Sequence, residues 1–182
     1  MDRIQNSINA LLARQGHGIV AIDGPCTAGK TTLARKLSEI YDCNVIHMDD
    51  FFLRPEQRVP ERFSQPGGNV DYERFYAEVL LPLRSGEAFS YRPFDCKTFT
   101  LSKPVAVTPK KLTVIEGSYC NHPHFGDPYD LKIFLTIEPE LQRKRVLERP
   151  EFLQQRFFQE WIPMEEKYFE YFQIRSKCDI TL

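Results

Sequence analysis

Residues 24–31, Gly24-Pro25-Cys26-Thr27-Ala28-Gly29-Lys30-Thr31, match the pattern GxxxxGK[ST] at every fixed position. The apolar run Ile19-Val20-Ala21-Ile22 before it reads as a buried strand. Residues 30–41 after it carry Leu33, Leu37 and Ile40 on one helical face. A strand that passes through a glycine-rich turn into a helix has few uses other than holding an anion. Glycine lets the backbone curl until consecutive N–H groups point into one space, and the helix N-terminus adds partial positive charge. Lys30 supplies a mobile cation for the outer phosphates, and the Thr31 hydroxyl suits magnesium. Gly24, Cys26, Thr27, Ala28, Gly29, Lys30, Thr31 and Thr32 are therefore the expected nucleotide-binding residues, and the ligand they imply is a nucleoside triphosphate with Mg2+.

The rest of the chain repeats the strand–helix alternation. Residues 2–14 form a helix by their Ile4, Ile8, Leu11 and Leu12 spacing. Val45–Met48, Leu112–Ile115, Leu131–Ile137 and Cys178–Leu182 read as further strands, and 71–84, 138–148 and 151–172 as further helices. Residues 53–70, with three prolines and two glycines, read as a long surface loop, and about 86–110 as a second irregular stretch. Nearly continuous apolar strands alternating with helices mean a parallel sheet of about five strands covered on both faces, an α/β fold. Its ligand belongs beyond the carboxyl ends of the strands, where Asp23-Gly24, Asp49-Asp50 and Glu116-Gly117 fall. At 182 residues the chain is expected to be one domain, 1–182.

Composition narrows the function classes. With 24 Lys+Arg against 25 Asp+Glu, the net charge of −1 argues against a dedicated nucleic-acid binder. No apolar run reaches membrane-spanning length, and the opening Met-Asp-Arg-Ile-Gln-Asn-Ser lacks a secretory signal, so the expectation is a cytoplasmic protein without membrane partners. The five cysteines are too far apart for a CxxC site and read as free thiols. Cys120, His122 and His124 lie close in sequence, but no second ligand cluster accompanies them, so no metal is expected there.

Switch GTPases need a DxxG after the third strand, and none occurs. Ser176-Lys177-Cys178-Asp179 imitates a guanine-reading motif but enters a strand instead of leaving one. His47-Met48-Asp49-Asp50-Phe51-Phe52 puts two carboxylates at a strand end beside the glycine turn. Phosphoryl transfer to an alcohol needs an acceptor that orients the hydroxyl and receives its proton, and a carboxylate does both. Adjacent residues point to opposite sides, so one of the pair is expected to face the substrate; the plainer alternative is that both cap the next segment. At an ordinary pKa of about 3.9 such an aspartate is ionised at neutral pH unless its pocket raises it.

In order, the phosphate loop, Met48-Asp49-Asp50-Phe51-Phe52, Ile115-Glu116-Gly117 and an Arg-rich helix resemble the uridine kinase and phosphoribulokinase family over about residues 18–182. The second block is also similar to that of nicotinamide riboside kinases. The resemblance implies a three-layer P-loop NTPase fold with a short Arg-rich lid. It implies an ATP- and Mg2+-dependent kinase acting on a small-molecule hydroxyl, most of all the 5′-hydroxyl of a nucleoside. It implies Asp49 as the base, with Lys30 and Arg145 as the other catalytic groups. Thr31 and Glu116 would be at the metal, and Arg143 and Arg149 would join Arg145 at the phosphates, although a solvated helix face paired with Glu148 and Glu151 is the alternative for these arginines. On the acceptor side it implies Asp71, Phe94 and Asp95. The departures also lie on that side. The family's histidine before Asp71 is absent, Phe94 replaces a tyrosine, the base-contacting histidine is replaced near Thr98-Phe99, and no helix follows the last strand. Kinases for nicotinamide riboside, pantothenate or a sugar phosphate, and a non-catalytic nucleotide-binding module, stay open, as do ATP against GTP as donor and a homo-oligomeric state.

Overall fold

A computed structural model of the chain describes residues 1–182. Helix α1 (Asp2–Gln15) buries Ile4, Ile8 and Leu11. Strand β1 (Gly18–Asp23), helix α2 (Lys30–Ile40) and strand β2 (Cys43–His47) follow, as expected. Asp49 and Asp50 lie on a single 3-10 turn, Met48–Phe51, just past β2. Residues 53–70 are more ordered than a surface loop. Pro55 and Pro60 each open a short helical turn, and Phe52 bridges to Val70, with Leu53 and Val70 both buried. Two apolar anchors pull the ends of the segment onto the core, while proline at the first helical position costs no hydrogen bond.

Helix α3 occupies residues 72–85. The stretch read as irregular then forms two small antiparallel pairs: β3 (Phe89–Tyr91) with β6 (Val105–Val107), and β4 (Phe94–Asp95) with β5 (Thr100–Leu101). Strands this short give no readable alternation. Strand β7 (Leu112–Glu116), strand β8 (Leu131–Phe134), helix α4 (Pro139–Leu147), helix α5 (residues 151–171) and strand β9 (Ile180–Thr181) complete the chain. Both β8 and β9 are shorter than expected, but backbone hydrogen bonds still link their ends, the Leu182 N–H donating to Phe134 O and the Thr136 N–H to Leu182 O.

The five-stranded sheet has the order β2-β7-β1-β8-β9, every pair parallel, with Gly18 opposite Leu112 and Val20 opposite Leu131. Alternation sorts its side chains into two cores. Val20, Ile22, Val114 and Ile133 pack with α1 and α2, and Ala21, Ile46, Ile115 and Phe134 pack with α3 and α5. The result is three layers, helix–sheet–helix.

Helices α3 and α5 share one irregularity. Each contains a widened π turn, Tyr76–Leu80 and Phe157–Trp161, and in each a proline follows, Pro82 and Pro163. The Leu81 N–H reaches back five residues to Tyr76 O, and the Ile162 N–H to Phe157 O. Proline has no N–H and its ring collides with the carbonyl one turn earlier; widening that turn moves the carbonyl aside and lets the helix continue.

Candidate active site

At the end of β1 the backbone of Gly24 takes φ 139°, and a Cβ there would lie 2.3 Å from the Leu135 carbonyl oxygen, so no larger residue fits. Thr27, inside the loop, is held at φ 61°, a strained conformation of the kind found at ligand-binding turns. Lys30 is folded back on the loop. Its ammonium donates to Gly24 O at 2.7 Å, Pro25 O at 2.8 Å and Ser118 Oγ at 3.2 Å, which uses all of its protons. Ser118 in turn donates to Glu165 Oε1 at 2.7 Å, and Glu165 Oε2 accepts the Cys26 N–H at 2.8 Å. Burial raises the Glu165 carboxyl above its ordinary range. The same desolvation, with Glu165 adding to it, pushes the Cys26 thiol up to about 12, so it is inert.

The sheet register sets His47 opposite Glu116. His47 Nδ1 lies 2.6 Å from Glu116 Oε1, and this hydrogen bond raises the His47 pKa. Thr31 Oγ1 donates to the same oxygen at 3.1 Å. A hydroxyl and a buried carboxylate thus converge at the mouth of the loop. No three His, Cys, Asp or Glu residues gather into a metal cage anywhere, Cys120, His122 and His124 included. Two protein oxygens, with phosphates and waters completing the sphere, fit Mg2+, which dehydrates reluctantly and borrows ligands from its substrate.

The two aspartates differ. Asp50 Oδ2 accepts the Tyr91 hydroxyl at 3.0 Å, whereas the Asp49 carboxylate accepts no hydrogen bond from the protein. Solvent reaches Asp49, yet enough protein surrounds it that desolvation raises its carboxyl, with Lys30 and His47 opposing and Glu116 and Asp50 reinforcing the shift. The charges that act on it most are those of Lys30 and Glu116.

Of the residues expected on the acceptor side, Asp71 is almost fully buried and caps α3, accepting the Arg74 N–H at 3.1 Å, with Oδ2 turned to Arg54 and Arg74. Phe94 is buried, edge-on to Phe99, while Asp95 Oδ1 accepts the Lys97 N–H in the β4–β5 turn. Of the arginines in residues 54–74, Arg54, Arg62 and Arg74 are each paired with carboxylates. Arg58 has no carboxylate partner; its guanidinium lies 5.0 Å from the Phe99 ring centre and 5.7 Å from that of Phe94. Phe94 lies on β4, which packs against the Met48–Phe51 turn, so Arg58 stands on the Asp49 side of the molecule.

The three arginines expected in a lid have three placements. Arg145 Nη1 donates to Thr27 O at 2.7 Å, Arg143 lies over the Phe158 ring, and Arg149 is exposed at the end of the lid. Gln142 Nε2 also reaches Cys26 O at 3.2 Å. Sequence reading missed Gln142, Ser118 and Glu165, since a polar residue on a charged helix or after a glycine carries no local signal. Asp23 was legible as a strand end, but not its role: it accepts the N–H groups of Gly24, Tyr119 and Asn121 and the Tyr168 hydroxyl, tying β1 to α5. Asp179, of the imitation guanine motif, is taken by the Lys132 N–H.

No protein-family model matches the chain. Uridine-cytidine kinase C of Dictyostelium discoideum is 25% identical over 125 residues, 65% of this chain but 26% of that protein, so the chain spans about a quarter of the relative it matches. Among solved structures, one described as a possible uridine kinase from Bacillus stearothermophilus superposes with a TM-score of 0.71 over 99% of both chains at 20% identity. A protein from Silicibacter sp. TM1040, provisionally described as a fructose transport system kinase, does so at 0.70 over 91% of this chain and 89% of its own, also at 20% identity. The chain shares the three-layer α/β fold of these two structures. In that fold the loop at 24–31, the Asp49 turn and helix α4 lie at one end of the sheet. No helix is long and apolar enough to cross a membrane.

Proposed function

We propose that this protein transfers the γ-phosphoryl group of ATP to a small-molecule hydroxyl, and that the acceptor is the 5′-hydroxyl of a nucleoside. The observation that carries the reading is the Asp49 carboxylate, left without a protein hydrogen bond while its neighbour Asp50 is engaged by Tyr91, and acted on by the charges of Lys30 and Glu116. Lys30 and the loop amides hold the outer phosphates. Thr31 and Glu116 are the residues that would hold Mg2+, which when bound neutralises charge on the phosphate oxygens. Asp49 accepts a hydrogen bond from the acceptor hydroxyl, aligns its oxygen with the γ-phosphorus, and takes the proton late, as the new O–P bond forms and the bond to the ADP oxygen breaks. Arg145, already at the loop through Thr27, stabilises charge on the group in transit. The lid excludes water that would otherwise compete as acceptor. The uridine-cytidine kinase relative supports a nucleoside, whose planar base suits the Phe94 and Phe99 rings.

One observation favours a second acceptor class. Arg58 is the arginine of residues 54–74 without a carboxylate partner, and it would suit an acceptor that carries a carboxylate or phosphate, such as pantothenate or a sugar phosphate. A coupled assay of ADP release at fixed ATP and magnesium, across nucleosides, nicotinamide riboside and hydroxylated anions, tests both. Release that depends on a nucleoside supports the first reading. Release with anions alone replaces it by the second, and nucleotide binding without release from any acceptor leaves a nucleotide-binding module.

A further inference from the structure

The phosphate loop is satisfied by the protein's own groups. Every proton of the Lys30 ammonium is committed to Gly24 O, Pro25 O or Ser118 Oγ. The Cys26 N–H, one of the amides lining the loop, is committed to Glu165 Oε2, and the other oxygen of that carboxylate holds Ser118. Glu165 comes from α5, beyond the lid, and is 139 residues from Cys26 in the chain. It is a buried carboxyl group at a site whose amides and lysine suit anions.

We propose that Glu165 is an internal occupant of the phosphate site that competes with the donor nucleotide. Its carboxylate takes the Cys26 amide and, through Ser118, keeps Lys30 on the loop's own carbonyls. Nucleotide phosphates exchange for it: the Cys26 N–H and the Lys30 ammonium pass to phosphate oxygens, and Glu165 withdraws with α5. Two negative groups do not share one amide in a partly desolvated site, so the coupling is reciprocal. A bound nucleotide loosens α5 from the loop, and an α5 drawn away frees the loop for nucleotide. Glu165 is thus a positioning residue for Lys30 that sets nucleotide affinity against lid position. The inference rests on the loop's binding a nucleotide, and it needs neither a particular acceptor nor turnover.

Titration calorimetry with magnesium and ADP alone tests it. Wild type must bind ADP; absence of binding overturns the nucleotide reading together with this one. Glu165→Gln keeps the reach and an oxygen to accept the Cys26 N–H but removes the charge. Its ADP Kd is expected to fall about tenfold, the equivalent of one charge-assisted hydrogen bond. Glu165→Asp keeps the charge but loses reach, and its Kd is expected to lie between the two. Ser118→Ala cuts the link to Lys30 and is expected to tighten ADP binding severalfold, and it carries the test if the Glu165 variants do not fold. Where an acceptor is in hand, the KM for ATP should fall with no matching rise in kcat. A purely structural Glu165 would move neither Kd nor KM downward. ADP binding that is unchanged or weaker in Glu165→Gln and Ser118→Ala, with wild type binding normally, overturns the proposal and leaves the nucleotide reading standing.

Discussion

Asp49 and Asp50 are chemically identical and adjacent, yet Tyr91 commits one, and the other accepts no hydrogen bond from the protein. Asp49→Asn is accordingly expected to lower kcat by about 10²- to 10⁴-fold, with ADP affinity retained, as turnover and calorimetry would show. Near-normal turnover removes Asp49 from the mechanism. The sign of its pH effects follows from the raised carboxyl. Activity needs the ionised form, so the acid limb of kcat should lie above the ordinary aspartate range, and Asp49→Asn should abolish that limb. For stability the sign is opposite. A carboxyl raised by desolvation contributes stability that is complete below its unfolded pKa and lost as pH rises through the folded value. Thermal unfolding of Asp49→Asn at neutral pH should therefore come no earlier than in wild type. The pair itself was legible in the sequence; which member is free depended on Tyr91, 41 residues away in a segment read as irregular.

At the scale of elements, α5 does the most to assemble the site. Through Tyr168 it meets Asp23 at the end of β1, and through Glu165 it meets the loop. Tyr168→Phe leaves the ring packing and removes one charge-assisted hydrogen bond to a buried carboxylate, so urea unfolding should show a loss of about 2 kcal/mol. A loss within experimental error would mean that the backbone donors to Asp23 suffice. The lid gives a kinetic contrast. Arg145, which reaches Thr27, is expected to cost about 10²-fold in kcat when changed to Ala, and the exposed Arg149 far less, with unfolding midpoints hardly moved in either. Equal losses for the two would show that the lid acts only as a diffuse positive field. The helical periods of α3 and α5 were visible in the sequence. Their π turns were not, because apolar spacing records which face is buried and not how one turn avoids a proline ring.

For the whole molecule, the parallel sheet brings Asp23, His47 and Glu116 to the carboxyl ends of neighbouring strands, and the helices between strands close the space around them. A ligand that binds only this folded arrangement stabilises it by mass action. At a hundred times its Kd, magnesium ADP should add about 2.7 kcal/mol and raise Tm by roughly 5–10 °C, and Lys30→Ala should remove most of that shift. A shift that survives in Lys30→Ala would place the nucleotide elsewhere. Strand and helix periods and the GxxxxGK[ST] spacing are local properties of the chain, so residue order alone was enough to read the class of fold and the glycine-rich loop. Only the tertiary structure decided that Asp50 is engaged, that Asp71 caps a helix, that Arg58 lacks a carboxylate partner and that Glu165 sits in the loop. Each of those depends on a partner far along the chain, and nothing short of the folded packing brings the two together.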